Sequence, residues 1–195
     1  MAENFALSYL RYLADPNTPN PNYQLKDLPL SLAGFWKTIL PSQTYMAAMD
    51  PDLSDFNRNG GKLLLWHGWE DQHISPQNTL AYYDAMRRWM GDRAVDQMSR
   101  LYLFPGLGHC SGGEGPNQFD VLTPVMAWVE SGRTPGAIPA TNGTTTRAVK
   151  AYTPERHPQP DYHWAGEILF SHGYQTSPRA VNGKLVVLPG WSRFF

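Results

Sequence analysis

Two short apolar runs, each ending in a glycine-containing loop that leads to a helical pattern, constrain the fold of this chain most. The first is Lys62-Leu63-Leu64-Leu65-Trp66-His67, opened by the turn signal Gly60-Gly61 and closed by Gly68. The second is Arg100-Leu101-Tyr102-Leu103-Phe104, running into Pro105-Gly106-Leu107-Gly108-His109-Cys110. A continuous apolar run of this length reads as a strand buried on both faces, as in a parallel sheet. After the first loop, Ser75-Pro76 opens a helix, since serine suits the N-cap and proline the first helical position. The spacing predicts that this helix runs to about Met90, with Tyr82, Met86 and Trp89 on one face and Gly91 as terminator. A second helix is expected over roughly Asp120 to Glu130, stopping near Gly132; Pro124 either kinks it or starts it, with Thr123 as cap. Strand, loop and helix twice over is the pattern of parallel α/β architecture, so the fold class is α/β.

The flanking segments are less regular. Residues 5–13 suit a short helix with Phe5, Tyr9 and Tyr12 on one face, and Asp15-Pro16-Asn17-Thr18-Pro19-Asn20-Pro21-Asn22 reads as loop. Near the other end, Asn182-Gly183 before Lys184-Leu185-Val186-Val187-Leu188 signals a hairpin and one more strand. The chain therefore divides into an irregular or helical segment 1–44, an α/β portion 45–140 and a divergent tail 141–195. At 195 residues, 42% hydrophobic and 17% charged, it is long enough to bury a core and too apolar to be disordered. Its 16 basic and 17 acidic residues leave a net charge of −1, with no basic patch for nucleic acid or an anionic membrane. No stretch is long and apolar enough to cross a bilayer, and Met1-Ala2-Glu3-Asn4 has neither the basic nor the apolar region of an export signal.

In parallel sheets, reactive groups gather beyond the carboxyl ends of strands. Asp71 lies four residues past His67 and His109 five past Phe104, a separation of 109 − 71 = 38 residues, enough for one loop, one helix and one strand. An acid after one strand and a histidine after the next is the order in which α/β-hydrolases place the second and third members of a serine, acid, histidine triad. The acid holds the imidazole in the useful tautomer, and the imidazole carries the serine's proton. The competing reading is a turn-capping aspartate and an ordinary loop histidine.

The segments that surround these two residues decide between the readings. Gly60-Gly61-Lys62-Leu63-Leu64-Leu65-Trp66-His67-Gly68-Trp69-Glu70-Asp71, continuing through Ile74-Ser75-Pro76, resembles the tannase and feruloyl esterase family. So does Pro105-Gly106-Leu107-Gly108-His109-Cys110-Ser111-Gly112-Gly113-Glu114-Gly115-Pro116-Asn117, and the resemblance covers about residues 45–140. It implies a carboxylic ester hydrolase acting on esters of small aromatic acids, with Asp71 and His109 as triad members. It also implies that Cys110 forms a disulfide to a cysteine directly before the nucleophilic serine. This chain has one cysteine and no glycine-rich Cys-Ser elbow. The resemblance thus implies the C-terminal part of an α/β-hydrolase sheet, lacking the nucleophile-bearing half and the lid. No cofactor is expected here, because the family's calcium site belongs to that lid. The expected partners are a small aromatic ester and a complementary N-terminal portion. The alternative is an inactive truncated remnant, or a subunit that needs such a piece. The family usually works in secreted or periplasmic form.

Other residues offer rival chemistry. Ser111 is a poor nucleophile candidate, because His109 stands where the hydrolase elbow needs glycine and a loop, not a helix, follows. Cys110 beside His109 is poorer still, since neighbours in an extended loop point different ways. The 6 histidines, His67, His73, His109, His157, His163 and His172, show no zinc-type spacing. Trp66, His67, Trp69 and His73 surround the aspartate loop and are candidate pocket residues; core packing is the competing reading for the tryptophans, and packing or hydrogen bonding for the histidines. Glu114 and Asp120 read as solvated loop and helix N-terminal charges.

Overall fold

The computed structural model describes residues 2–15, 17–38, 42, 46, 48–154, 179–181 and 184–186. The chain forms two compact units, Met1–Asp50 with Leu169–Phe195, and Pro51–Ile168. In the first unit, helix α1 spans Ala2–Tyr12 and α2 spans Leu32–Thr38, separated by a 3-10 turn at Leu25–Asp27. Helix α1 buries Leu10, whereas Phe5 and Tyr12, expected to share a face, are exposed. The Pro/Asn segment after it turns on Asp15, whose Oδ1 accepts from the backbone N–H of Asn17 and of Thr18.

The second unit holds the two expected strands. Helix α3 (Ser54–Arg58) precedes β1 (Leu63–Gly68). Then come α4 (Pro76–Met90), α5 (Asp92–Met98) and β2 (Ser99–Phe104). β1 and β2 pair in parallel, from Leu63 opposite Ser99 to Gly68 opposite Phe104. Alternation along both strands sorts their side chains to opposite faces. Leu63, Leu65, Leu101 and Leu103 pack with Leu80, Tyr83 and Met86 of α4 and with Val95 and Met98 of α5. Leu64, Trp66, Tyr102 and Phe104 face the other way, onto Leu107, Phe119, Ile138 and Val149. Each fully buried large apolar side chain contributes roughly 1.5–3 kcal/mol, so the two faces together hold the strand ends that carry the loops.

The structure departs from the expected burial of β1. β2 is buried nearly throughout, but β1 is only half-buried until Gly68. β2 lies between β1 and a bridge from Tyr102 to Ala151, whereas the outer edge of β1 pairs with no strand among the described residues. Helix α4 begins and ends as expected: Ser75 Oγ accepts from Gln77 N–H at 3.3 Å, and Gly91 terminates it at φ 83°. Its buried side differs, however. Leu80, Tyr83 and Met86 face the core, while Tyr82 sits on the flank and Trp89 is exposed, because the sheet and α5 meet the helix along the i, i+3, i+6 row.

Helix α6 spans Leu122–Ser131 and is capped by Asp120, not Thr123: Asp120 Oδ1 accepts from Leu122 N–H at 2.9 Å and Thr123 N–H at 3.0 Å. Pro124 falls in the first turn, where its missing N–H costs nothing. Three strands that the sequence reading did not foresee, β3 (Gln118–Phe119), β4 (Ile138–Thr141) and β5 (Thr146–Val149), form an antiparallel sheet. Returning to the first unit, β6 (Arg179–Val181) and β7 (Lys184–Val186) pair antiparallel, as the expected hairpin requires. Its turn residues 182 and 183, Val187 and Leu188, the aromatic tail motifs and His157, His163 and His172 lie outside the described residues. No described helix is long and apolar enough to cross a membrane.

Candidate active site

The loops after β1 and β2 are laced together by their backbones before any side chain is considered. Trp69 N–H donates to Phe104 O, and Glu70 N–H donates to Leu107 O, both at 3.0 Å. Gly68 makes this approach feasible, since a Cβ there would stand 2.2 Å from Leu107 O and 2.7 Å from Gly108 O. The second loop folds on itself through Gly115 N–H to Gly106 O at 2.8 Å, with Gly106 at φ 75° and Gly113 at φ 86°, where L side chains are strained. Leu107, fully buried, anchors this loop in the core directly before Gly108 and His109.

Asp71 and His109 meet across the two loops. His109 Nδ1 lies 2.8 Å from Asp71 Oδ2. The side chain of Asp71 is 6% exposed and that of His109 38%. Asp71 Oδ1 accepts from the backbone N–H groups of His73 and Ile74, each at 2.8 Å. Burial alone raises a carboxyl pKa, but here it is outweighed by the Ile74 N–H, by the hydrogen bond from His109, by the His73 N–H and by the charge of His109. The carboxyl is held far below the usual carboxylate range and is ionised at any working pH. An ionised acceptor facing Nδ1 places the imidazole hydrogen there, leaving Nε2 as the basic nitrogen. Among the described residues, Nε2 has no hydrogen-bond partner. Such an arrangement can accept a proton from a hydroxyl brought to Nε2 and return it to a leaving group.

The remaining candidates separate. His67, on the α4 face of β1, places Nδ1 2.7 Å from Thr79 Oγ1 and Nε2 3.0 Å from Ile74 O and 3.2 Å from Asp71 Oδ2. His73 stands edge-on to His109, with ring centroids 5.2 Å apart. Trp69 is exposed on the aspartate loop. Trp66 does not join them: it packs edge-on against Phe104 at 6.4 Å and Phe119 at 5.2 Å, on the opposite face of the sheet from His67. Cys110 is an exposed free thiol with φ 64°, so the chain contains no disulfide. Ser111 is exposed in the turn closed by Gly108 N–H to Gly112 O, makes no hydrogen bond to His109, and precedes a loop and β3 instead of a helix. Thr79 was not singled out from the sequence; its only signal is a hydroxyl in the opening turns of the helix that follows the aspartate loop. Among the described residues no three His, Cys, Asp or Glu side chains converge.

A family model described as "Tannase and feruloyl esterase" matches residues 17–176, extending beyond 45–140 on both sides. The chain is 37% identical over 149 residues to mono(2-hydroxyethyl) terephthalate hydrolase of Piscinibacter sakaiensis, a match covering 71% of this chain and 24% of that protein. It is 42% identical over 104 residues to a probable feruloyl esterase of Arthroderma benhamiae, covering 50% of this chain and 19% of that one. The crystal structure of feruloyl esterase B from Aspergillus oryzae superposes with a TM-score of 0.60 at 25% identity, covering 84% of this chain and 36% of that chain. The tannin acyl hydrolase of Aspergillus niger gives a TM-score of 0.57 at 25% identity, covering 74% and 29%. The chain thus spans about a quarter or less of the length of these curated relatives. Likeness to these structures gives β1, β2 and their helices the α/β-hydrolase fold expected from the sequence.

Proposed function

Because the chain belongs to the tannase and feruloyl esterase family, we propose that it supplies the acid and base of a serine esterase site that hydrolyses esters of small aromatic acids. The observation that carries this reading is the 2.8 Å contact of His109 Nδ1 with an ionised Asp71, made across the ends of consecutive parallel strands. In the proposed mechanism, His109 Nε2 takes the proton as a serine Oγ attacks the ester carbonyl, and Asp71 stabilises the resulting imidazolium. His109 then protonates the departing alcohol oxygen, leaving an acyl-serine. A water attacks that acyl group, giving its proton to His109, and the proton returns to serine Oγ as the acid leaves. The serine would lie outside these 195 residues, since the family's Cys-Ser elbow has no counterpart here. Cys110, exposed beside His109, would then be staple material for the loop bearing that serine.

Aromatic-acid esters are favoured by the relatives, a mono(2-hydroxyethyl) terephthalate hydrolase and a probable feruloyl esterase. The half-buried β1, open at its outer edge among the described residues, favours a complementary polypeptide over an inactive remnant. The test uses the reading frame extended upstream to any in-frame glycine-rich Cys-Ser motif, assayed on methyl ferulate and methyl gallate. The extended protein is expected to turn over at least one ester, and His109→Ala to lower kcat by at least about a thousandfold. Undiminished turnover in that variant would remove His109 from the mechanism. Turnover by the 195-residue chain alone, lost on His109→Ala, would instead place the nucleophile inside it.

A further inference from the structure

The catalytic reading uses one histidine on Asp71, but two approach it. His67 Nε2 lies 3.2 Å from Asp71 Oδ2, the same oxygen that faces His109 Nδ1, and 3.0 Å from Ile74 O. Both neighbours of His67 Nε2 are acceptors, so this nitrogen carries a hydrogen. Its other nitrogen, Nδ1, lies 2.7 Å from Thr79 Oγ1, which in the neutral ring makes the threonine hydroxyl the donor. The ring is 11% exposed and is therefore held between helix α4 and the aspartate loop, not waving in solvent. Ile74 closes the arrangement: its carbonyl accepts from His67, while its N–H donates to Asp71 Oδ1 at 2.8 Å. One imidazole therefore bears on both oxygens of the carboxylate, directly on Oδ2 and through the Ile74 peptide on Oδ1.

Resting on the assignment of Asp71 and His109 as acid and base, we propose that His67, oriented by Thr79, is a positioning residue that aims the Asp71 carboxylate at His109 Nδ1. A rigidly aimed acceptor matters because a base displaced by a fraction of an ångström loses the alignment on which proton transfer depends. His67 touches neither substrate nor the reacting atoms; it acts through Asp71. The geometry also separates it from His73, whose ring meets His109 from the exposed side and contacts Asp71 only through its backbone N–H.

The test has two arms. In the 195-residue chain, the proton NMR signal of His109 Nδ1–H, identified by its loss in His109→Ala, reports the grip of Asp71 without needing a serine. His67→Phe is expected to broaden or abolish that signal. His67→Gln, whose amide nitrogen reaches where Nε2 does, is expected to restore it. Thr79→Val, which keeps the shape and removes the hydroxyl, is expected to speed its exchange with water and serves should His67→Phe not fold. In the extended esterase, His67→Phe is expected to lower kcat by roughly tenfold to a hundredfold, the range for misplacing a catalytic group, with KM unchanged and His67→Gln close to wild type. An unchanged signal and unchanged kcat in both His67→Phe and Thr79→Val overturn the proposal. If His109→Ala leaves turnover intact, the catalytic reading fails, while the NMR arm still decides whether His67 holds the pair.

Discussion

A carboxylate with only 6% of its side chain in water would ordinarily drift toward the neutral form, and Asp71 does the opposite because its oxygens are surrounded by N–H groups. The backbone donors His73 and Ile74 hold Oδ1, and His109 faces Oδ2. The folded-state pKa is therefore depressed, so the stability contributed by this ionised group is present above the unfolded carboxyl value, near ~3.9, and is lost as pH falls through the lower folded value. The expected outcome is an Asp71 carboxyl carbon NMR shift that stays flat while ordinary aspartates titrate; a midpoint in their range would show that the donors are not made in solution. Asp71→Asn keeps the shape but replaces the acceptor with an amide that can present N–H to Nδ1, favouring the wrong tautomer. In the extended esterase it is expected to cut kcat by about 10⁴-fold and, because the ionised acceptor that stabilises the fold is gone, to lower the melting temperature at neutral pH. A drop of less than tenfold would leave Asp71 only a turn-capping role.

The elements that place this residue pair were legible where local chemistry and tertiary demand agreed. Ser75, Pro76 and Gly91 mark the ends of α4, and the apolar runs mark β1 and β2, because caps and buried strands are written in adjacent residues. The joint placement of Asp71 and His109 followed from the same pattern. The antiparallel β3, β4 and β5 did not, although one signal was present. Asn142-Gly143 closes β4 to β5, with Gly143 at φ 91° and Asn142 Oδ1 accepting from Thr144 and Thr145 N–H. The same dipeptide, Asn182-Gly183, is the hairpin signal in the sequence. Four-residue strands such as Ile138-Pro139-Ala140-Thr141 carry too little alternation to stand out, and Pro139 argues against a strand until its partner is known. The exposure of Trp89 was likewise invisible, being decided by which elements cover each face. Gly68 is the sharpest element-level dependence. Gly68→Ala is expected to destabilise by about 1–3 kcal/mol in denaturant unfolding, because the new methyl meets the backbone oxygen of Leu107, which cannot swing aside as a side chain would. An unchanged midpoint would mean that the two loops are farther apart than the Glu70 to Leu107 bond requires.

At the scale of the whole second unit, the core does two separate jobs, and substitutions can tell them apart. Ile138 and Leu107 belong to the same apolar cluster on one face of the β1 and β2 pair, and both are essentially fully buried. Removing either side chain to alanine leaves a cavity in that cluster, with an expected cost of about 2–5 kcal/mol. They differ in what hangs from them. Ile138 sits in β4, remote in sequence from both loops, so its loss loosens the sheet without touching the backbone bonds between Trp69 and Phe104 or between Glu70 and Leu107. Leu107 is itself the acceptor for Glu70 N–H and is followed at once by Gly108 and His109, so its side chain is the peg that fixes the histidine loop. Ile138→Ala and Leu107→Ala are therefore expected to lower stability by comparable amounts in urea unfolding. Only Leu107→Ala is expected to broaden the His109 Nδ1–H signal under conditions where both variants remain fully folded. Equal loss of that signal in the two variants would mean that the pair is held by global stability; its survival in Leu107→Ala would mean that the backbone bonds between the loops hold the histidine without the peg.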